Sequence, residues 1–527
     1  MLIRIHIFFI LPFHIIPIPI SKFWLHNNSA QEHRIPLKKN YYLSESGNDN
    51  NDGSKDYPLK SISKLNAMHL APGNAIYFHG GDTFEGSILL DSSKSGTAAL
   101  SILIGSYGKG KAVISSGNLS AIIIYKNSNI HISNLKCVGS GRKNGNTKEG
   151  VMVMESKNVT IDSIDISGFQ KAGLLIYSSK WITTRHVYAH DNGAAGITVE
   201  GNESKKDSRE IYIGYCRAEN NPGDPTILTN HSGNGIVVGH CTKVTIEYCE
   251  ATNNGWDMPR IGNGPVGIWG YEADSLLIEH CLSYRNKTSP GAADGGGFDL
   301  DGGVTNSIVQ YCLSYENQGA GYCIFQYWGA SPWYNNVFRY NISVDDGLVS
   351  DGFAGVYVWN SSGDENQFHD CLFYNNTIYN SQRTALHFSE KSKRKQFAFY
   401  NNIFVGKDSL KIGNEGSDLF LANDWWSITK KFNIEGIYDF STWARENNKE
   451  IIDGNIVGLN TDPNFENRSD KMPTAATEIQ IFDQYRISKN SPLRIKGLDL
   501  HELKGIESGD FDFNRQSAPV KGIGASF

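Results

Sequence analysis

The sequence has no excess of basic residues, no Cys-x-x-Cys pair and, after its first thirty residues, no apolar segment long enough to span a bilayer. A formal net charge of −6, with 49 basic against 55 acidic residues, argues against a nucleic-acid partner. The missing Cys-x-x-Cys pairs argue against a zinc site. The first thirty residues hold a short apolar run that is broken by prolines, which is typical of a secretory signal. We therefore expect residues 1–30 to be a signal peptide, and the protein to be secreted, periplasmic or at the cell surface.

The 54 glycines are not scattered at random, because a glycine followed by an alternating apolar strand recurs along the chain. The shortest spacing is 23 residues, and these glycines are Gly150, Gly173, Gly196, Gly235, Gly267, Gly297, Gly321 and Gly355. Three short strands in a coil of about 23 residues indicate a parallel β-helix. Parallel crossovers are almost always right-handed. The sequence thus predicts an all-β fold, a single right-handed parallel β-helix solenoid.

The pattern is less regular at the two ends, which indicates caps. We assign residues 31–117 to an N-terminal cap with the first coils and residues 118–405 to the β-helix with its groove loops. Residues 406–527 form a C-terminal excursion with the last strands and a cap, because stacked repeats need covered ends. No feature calls for a second chain, and we expect a monomer.

A second register follows from aligning the coils on their glycines. Matched Asn side chains can hydrogen-bond along the stack, since coils lie about 4.8 Å apart. The residues in this register are Asn192, Asn221, Asn254, Asn286, Asn317 and Asn376, with Asp346 substituting in one coil. Five residues before five of them lie Cys216, Cys249, Cys281, Cys312 and Cys371. We expect a stack of buried thiols, and disulfides between neighbouring coils stay open.

One strand carries two acids on the same face. In Gly297-Phe-Asp-Leu-Asp the alternation places Phe298 and Leu300 inward and Asp299 and Asp301 outward. Three long loops, 222–234, 255–266 and 287–296, enter strands at or just before this coil, and insertions at 203–208 and 328–335 rise from the opposite edge. Loops on both edges predict a groove above the two acids.

Aromatic and polar side chains surround the acids in the predicted rows and loops. The expected substrate-binding residues are Trp269, Tyr271, Phe325, Gln326, Tyr357, Trp359, His240, Trp256, Arg260 and Asp294. Flat rings pack against the C–H faces of sugars, while polar groups bind sugar hydroxyls. A polysaccharide or an oligosaccharide is therefore the expected substrate.

The acid pair fits glycoside hydrolysis, which needs one carboxylic acid to protonate the leaving oxygen and a second carboxylate as base or nucleophile. Side chains at positions i and i+2 of a strand start about 7 Å apart, which suits an inverting mechanism. Glu272 is a third catalytic candidate, and it could replace either aspartate. A hydrolase of this kind requires no cofactor.

Several further segments make the chain resemble the right-handed parallel β-helix proteins of the pectate-lyase-like superfamily over roughly residues 40–525. They are Tyr41-Tyr-Leu-Ser-Glu-Ser-Gly-Asn-Asp, Gly81-Asp-Thr-Phe, Ser95-Gly-Thr, Ser491-Pro and Gly522-Ile-Gly-Ala525. The superfamily holds hydrolases, lyases, epimerases and binding proteins, so the resemblance implies the fold more than the reaction. The acids here are split by Leu300, and the Gly-His-Gly of its polygalacturonase branch does not occur.

The resemblance leaves two other functions open. Pectate lyases of the superfamily hold calcium with aspartates on this sheet, which implies Asp299, Asp301 and Glu272 as ligands, with Arg260 or Lys287 as base. The outward rows around the acids carry no Lys or Arg, which weakens this alternative. The third possibility is a glycan-binding surface protein without catalytic activity.

Overall fold

The computed structural model describes residues 38–349, 354–390, 392–413, 416–469, 471–507 and 509–527. Three long sheets of parallel strands run along the chain, and each full coil adds one strand to each sheet. The chain is therefore a single parallel β-helix, as the recurring glycines predict. The predicted signal peptide, residues 1–30, lies outside the described residues.

The three sheets follow one another within each coil in the order second, first and third. The first sheet comprises Asn40–Leu43, Ala75–His79, Ile102–Tyr107, Ser128–Ser133, Lys157–Asp162, Lys180–Arg185, Ser208–Gly214, Cys241–Glu247, Asp274–Glu279, Ile308–Gln310, Asn336–Arg339, His369–Tyr374, Lys395–Tyr400 and Leu419–Leu421. The second comprises Ile88–Leu90, Ile122–Tyr125, Val151–Met154, Ala172–Tyr177, Ala195–Glu200, Asn234–Gly239, Val266–Tyr271, Gly296–Leu300, Tyr322–Gln326, Val356–Asn360, Leu386–Phe388 and Lys411–Ile412. The third comprises Thr83–Glu85, Ala112–Gly117, Leu135–Gly139, Asp165–Ser167, Tyr188–His190, Arg217–Glu219, Glu250–Thr252, Leu282–Tyr284, Leu313–Tyr315, Ile342–Val344, Thr377–Tyr379, Ile403–Gly406 and Asp424–Ser427.

Short helices and one hairpin complete the described secondary structure. The α-helices are Ile62–Ala67, Phe440–Glu446 and Leu500–Lys504. The 3-10 helices are Ser92–Lys94, Glu365–Gln367, Ala476–Ile481 and Pro492–Arg494. The hairpin joins Ile451–Ile452 and Asn455–Ile456 in antiparallel pairing. No helix within the described ranges is long and apolar enough to cross a membrane.

The second sheet has the register that the alternating pattern predicts. Ile236 pairs with Ile268, which pairs with Phe298 and then with Tyr322. All four side chains are fully buried in the core of the coil. Burial of each such side chain contributes roughly 1.5–3 kcal/mol, which fixes which face of the strand points inward. The residues between them, Asp299 included, must therefore point outward.

Buried asparagines form a hydrogen-bonded ladder at the turn before the second sheet. Asn286 donates from its backbone N–H (2.9 Å) and its Nδ2 (3.0 Å) to Oδ1 of Asn317, and the same pattern runs from Asn192 to Asp346. Asn376 does not continue this ladder, which corrects the sequence prediction. It belongs to a second ladder at the turn between the first and third sheets, where it accepts from Asn341.

The cysteines are free thiols, and each of the eight is buried. Cys216, Cys249, Cys281 and Cys312 stack at the same turn as the second asparagine ladder, and Cys312 donates its backbone N–H to Asn341 at 3.0 Å. Cys371 lies instead within a strand of the first sheet, so it is not part of the stack. Burial raises the pKa of the Cys249 and Cys281 thiols well above the ordinary value.

The C-terminal segment packs against the outer face of the third sheet. Ile479, Leu493 and Ile523 share one buried cluster with Leu313 and Ile342 of that sheet. The outer face of the second sheet, which carries Asp299, is therefore left uncovered by these segments.

Candidate functional site

The central strand of the site is Gly296–Leu300 on the second sheet. Close stacking explains its glycines, because a Cβ at Gly297 would lie 2.2 Å from Oγ of Ser314 in the same coil. Phe298 and Leu300 are fully buried in the core, while Asp299 and Asp301 line a cavity on the other face. The predicted alternation of the strand therefore holds at both acids.

The cavity has a volume of about 740 Å³, within the usual range for pockets that bind small molecules. Its floor is the second sheet, and its wall on one edge comes from the three long loops that enter that sheet. The residues that line it are Thr229, Asn230, His231, Arg260, Asn263, Gly264, Val266, Trp269, Tyr271, Ala293, Asp294, Asp299, Asp301, Phe325, Tyr327, Tyr357 and Trp359.

Asp299 is the most buried acid of the cavity, with 2% of its surface exposed. Its Oδ1 has no hydrogen-bond partner in the protein. Burial raises the pKa of this carboxyl well above 3.8, and the charges of Asp301 and Asp294 raise it further. These surroundings favour the protonated form of the Asp299 carboxyl.

The two neighbouring carboxyls are partly exposed and each accepts one backbone hydrogen bond. Burial raises the pKa of Asp301 to about 7, although its Oδ1 accepts from the Gly302 N–H at 2.7 Å. Burial raises the pKa of Asp294 to about 6, and Oδ2 of this residue accepts from the Gly264 N–H at 2.7 Å. The cavity therefore places three carboxyls with different proton affinities within one another's electric field.

Aromatic rings flank the acids on both sides along the coil axis. On one side Trp269 and Tyr271 lie with ring centroids 5.4 Å apart, and the Trp269 indole donates to Asn234 at 3.1 Å. On the other side Phe325 packs edge-on against Trp359, with centroids 5.8 Å apart. The indole bond and the ring packing fix the orientation of these aromatic walls.

Two predicted site residues, Glu272 and Gln326, do not line the cavity. They clamp Ser331 instead: its N–H donates to Glu272 Oε1 at 2.7 Å, and its carbonyl accepts from Gln326 Nε2 at 3.0 Å. Glu272 also forms an ion pair with Lys206 at 3.1 Å. The prediction and the structure differ because both residues lie at the end of a strand, where their side chains bond to the adjacent loops. Their role here is to hold the loop that follows Tyr327.

His240 and Trp256 also lie outside the cavity lining. His240 bonds Glu200 at 2.6 Å, and Glu200 accepts from the Tyr271 hydroxyl, so His240 supports a cavity residue from behind. Trp256 donates from its indole to Asn220 at 2.9 Å and stays 42% exposed. Its loop enters the second sheet, but this ring lies beside the preceding turn.

Eight lining residues were not predicted as members of the site: Thr229, Asn230, His231, Asn263, Gly264, Val266, Ala293 and Tyr327. His231 packs edge-on against Trp269 with centroids 4.8 Å apart, and its Nδ1 lies 3.0 Å from Asn234 Nδ2. Burial and then Arg260 lower the His231 pKa to about 4, so the ring is neutral. All of these except Tyr327 lie in the three long loops that were recognised by length, but loop length does not show which residues line the cavity.

The residues do not fit the calcium site that the resemblance implies. Within the described ranges no group of three or more His, Cys, Asp or Glu side chains is arranged to hold a metal ion. Glu272, one of the three expected ligands, has its two carboxylate oxygens bonded to Ser331 and Lys206. We therefore assign no step to a metal.

The coil and the pocket on its second sheet define a parallel β-helix protein with a small-molecule-sized site. The sequence matches the model of the Pel9A-like right-handed β-helix region over residues 41–346, and the chain belongs to that family. No curated protein matches the chain.

The solved structures with a similar fold include the following three. A GH136 lacto-N-biosidase from Eubacterium ramulus is 19% identical over 72% of this chain and 67% of its own, with a TM-score of 0.48. Pectate lyase Pel9A is 14% identical over 92% and 96%, with a TM-score of 0.40. The PL6 family alginate lyase AlyGC is 13% identical over 86% and 57%, with a TM-score of 0.50, so this chain spans little more than half of that protein.

Proposed function

We propose that the protein is an exported carbohydrate-active enzyme, a glycoside hydrolase that uses Asp299 and Asp301 as its acid–base pair. The observation that carries this proposal is Asp299, a buried carboxyl with a raised pKa that lines the cavity beside a second carboxyl. Paired carboxyls of unequal proton affinity are what glycoside hydrolysis requires. Export stays a prediction from residues 1–30.

Asp299 has the role of proton donor to the leaving oxygen. Burial, and then the charges of Asp301 and Asp294, raise its pKa well above the ordinary value, which favours the protonated form that a general acid needs. Because no protein group bonds Oδ1, proton transfer to a sugar oxygen breaks no existing hydrogen bond there.

Asp301 has the role of base. The Gly302 N–H stabilises its charged form, which makes it the easier of the pair to ionise. The two side chains sit two residues apart at the end of one strand, roughly 7 Å by strand geometry. That spacing leaves room for a water between the sugar and Asp301, which supports an inverting mechanism.

The aromatic walls support a sugar as the substrate. Trp269 and Tyr271 on one side and Phe325 and Trp359 on the other present ring surfaces to a cavity whose floor is acidic. Sugar rings offer apolar C–H faces to such walls and hydroxyls to the carboxyls.

Arg260 favours a second candidate, a polysaccharide lyase that works without a bound metal in this cavity. Its guanidinium lines the cavity, and its charge acts on Asp294 and His231. An arginine in this place can neutralise the carboxylate of an acidic sugar, which a β-elimination needs. Lys287, the other base that the resemblance implies, does not line the cavity.

The test is a panel of plant, algal and host glycans digested by the wild type and by Asp299→Asn and Asp301→Asn. Hydrolysis predicts new reducing ends without ultraviolet absorption, and a loss of at least a hundredfold in kcat in each variant. Asp56→Asn, an exposed acid far from the cavity, is the control and keeps full activity. An absorbing unsaturated product identifies a lyase, and glycan binding without cleavage identifies a binding protein; either result refutes the proposal.

A further inference from the structure

Three large apolar side chains that adjoin cavity-lining residues in the sequence are exposed to water. Leu228 is 65% exposed, Ile261 is 77% exposed and Trp328 is 79% exposed. Each is next in sequence to a residue that lines the cavity, and consecutive Cα atoms are only about 3.8 Å apart. Those neighbours are Thr229, Arg260 and Tyr327. We call Leu228, Ile261 and Trp328 the outer rim.

The outer rim has two sides. Leu228 and Ile261 lie on loops that enter the second sheet, whereas Trp328 lies on the loop that leaves the opposite edge of that sheet after the strand Tyr322–Gln326. A linear molecule that leaves the cavity between these loops has apolar surface on both sides of it.

The loop of Trp328 is held in place on both sides of the indole. The Trp328 N–H donates to Ser361 Oγ at 2.9 Å, and Ser331 is clamped by Glu272 and Gln326 as described above. These bonds present the indole outward rather than letting the loop fold it against the coil. An indole fixed in water gives up little side-chain freedom when a ligand covers it.

We propose that the outer rim is a second sugar-binding site, which holds the part of the substrate that extends beyond the cavity. The substrate is then an oligosaccharide or polysaccharide longer than the cavity can enclose. The inference rests on the proposed function and extends it, because each rim residue is next in sequence to a residue that lines the same cavity. Sugar rings outside the cavity stack on Trp328 through their C–H faces.

The experiment measures kcat/KM of the wild type and of Trp328→Ala on a series of oligosaccharides of increasing length. The wild type gains efficiency with each unit until the rim is filled. For Trp328→Ala, kcat/KM falls roughly five- to tenfold on long substrates and is unchanged on the shortest one. Trp181→Ala, which removes a 46% exposed indole on the first sheet, is the matched control. It leaves kcat/KM unchanged on both short and long substrates. Equal losses at every length, or no loss at all, overturn the proposal.

A measurement of glycan binding tests the outer rim separately from the proposed hydrolase activity. Calorimetry with Asp299→Asn reports affinity whether or not the wild type cleaves the glycan. If no glycan is cleaved but affinity rises with length and falls in Asp299→Asn/Trp328→Ala, the outer rim stands and the hydrolase proposal fails. If cleavage occurs but affinity for long chains does not depend on Trp328, the outer rim fails alone.

Discussion

Replacing Asp301 by asparagine should stabilise the protein at alkaline pH while it removes activity. In the folded protein the Asp301 pKa is about 7 because burial disfavours its charge, whereas an unfolded aspartate has a value near 3.8. The asparagine Oδ1 can still accept from the Gly302 N–H, so the substitution removes the charge and keeps the bond. A carboxyl that lines a cavity and destabilises the folded protein when it is charged is typical of a catalytic residue.

The magnitude follows from the linkage between proton binding and folding. Below pH 3.8 the group is neutral in both states, and the substitution changes little. Between pH 3.8 and about 7 only the unfolded state loses its proton, so the stability of the wild type falls as pH rises. A pKa rise from 3.8 to about 7 corresponds to roughly 4 kcal/mol above pH 7. Partial exposure to water reduces this, and we expect about 2–4 kcal/mol.

The assay is urea unfolding of the wild type and Asp301→Asn at pH 4, 6 and 8, chosen around these pKa values and followed by tryptophan fluorescence. The difference in unfolding free energy should be small at pH 4 and largest at pH 8. Asp56→Asn controls for the loss of a surface charge. A difference that does not depend on pH, or an asparagine variant less stable than the wild type at pH 8, refutes a raised pKa of Asp301 in the folded protein.

Three further outcomes follow from the same contacts. Asn317→Ala removes the oxygen that accepts from the Asn286 backbone N–H and Nδ2, and the amide that donates to Asp346 Oδ1, so the unfolding free energy should fall by about 3 kcal/mol in urea titration; an unchanged midpoint contradicts a structural ladder. Glu272→Ala releases the clamped loop and should raise KM severalfold with a smaller change in kcat, while Glu272→Gln, which keeps an acceptor for Ser331, should recover most of the loss; equal kinetics in both variants contradict the clamp. The eight buried cysteines should react with a thiol reagent only after unfolding, and reaction in the native protein contradicts the burial.

The coil and the central strand were predictable from sequence because both follow from periods that side-chain burial enforces. A strand such as Gly296–Leu300 alternates with period two, so placing Phe298 inside determines that Asp299 points outward. The prediction stops being valid where the strand ends. Gln326 and Glu272 lie at strand ends, and there hydrogen bonds to loop backbone rather than parity decide where a side chain goes.

Contacts between loops were not predictable, because they depend on which chain segments meet in space. The long loops were recognised, yet His231 turned out to line the cavity and Trp256 did not. The shift of Asn376 to a second ladder has a similar cause. In the coil that contains Asp346, the turn between the first and third sheets also carries a buried amide, that of Asn341, and Asn376 continues from it. Spacing along the sequence does not show at which of the two turns an asparagine lies.

Digestion in heavy-oxygen water tests the acid–base roles of Asp299 and Asp301 most directly, once a cleaved glycan is known. Hydrolysis predicts one heavy oxygen atom at each new reducing end, seen by mass spectrometry, and no labelled product from Asp299→Asn. Products that carry no label and absorb in the ultraviolet would show elimination instead, and labelled products from Asp299→Asn at the wild-type rate would show that this carboxyl is not the acid.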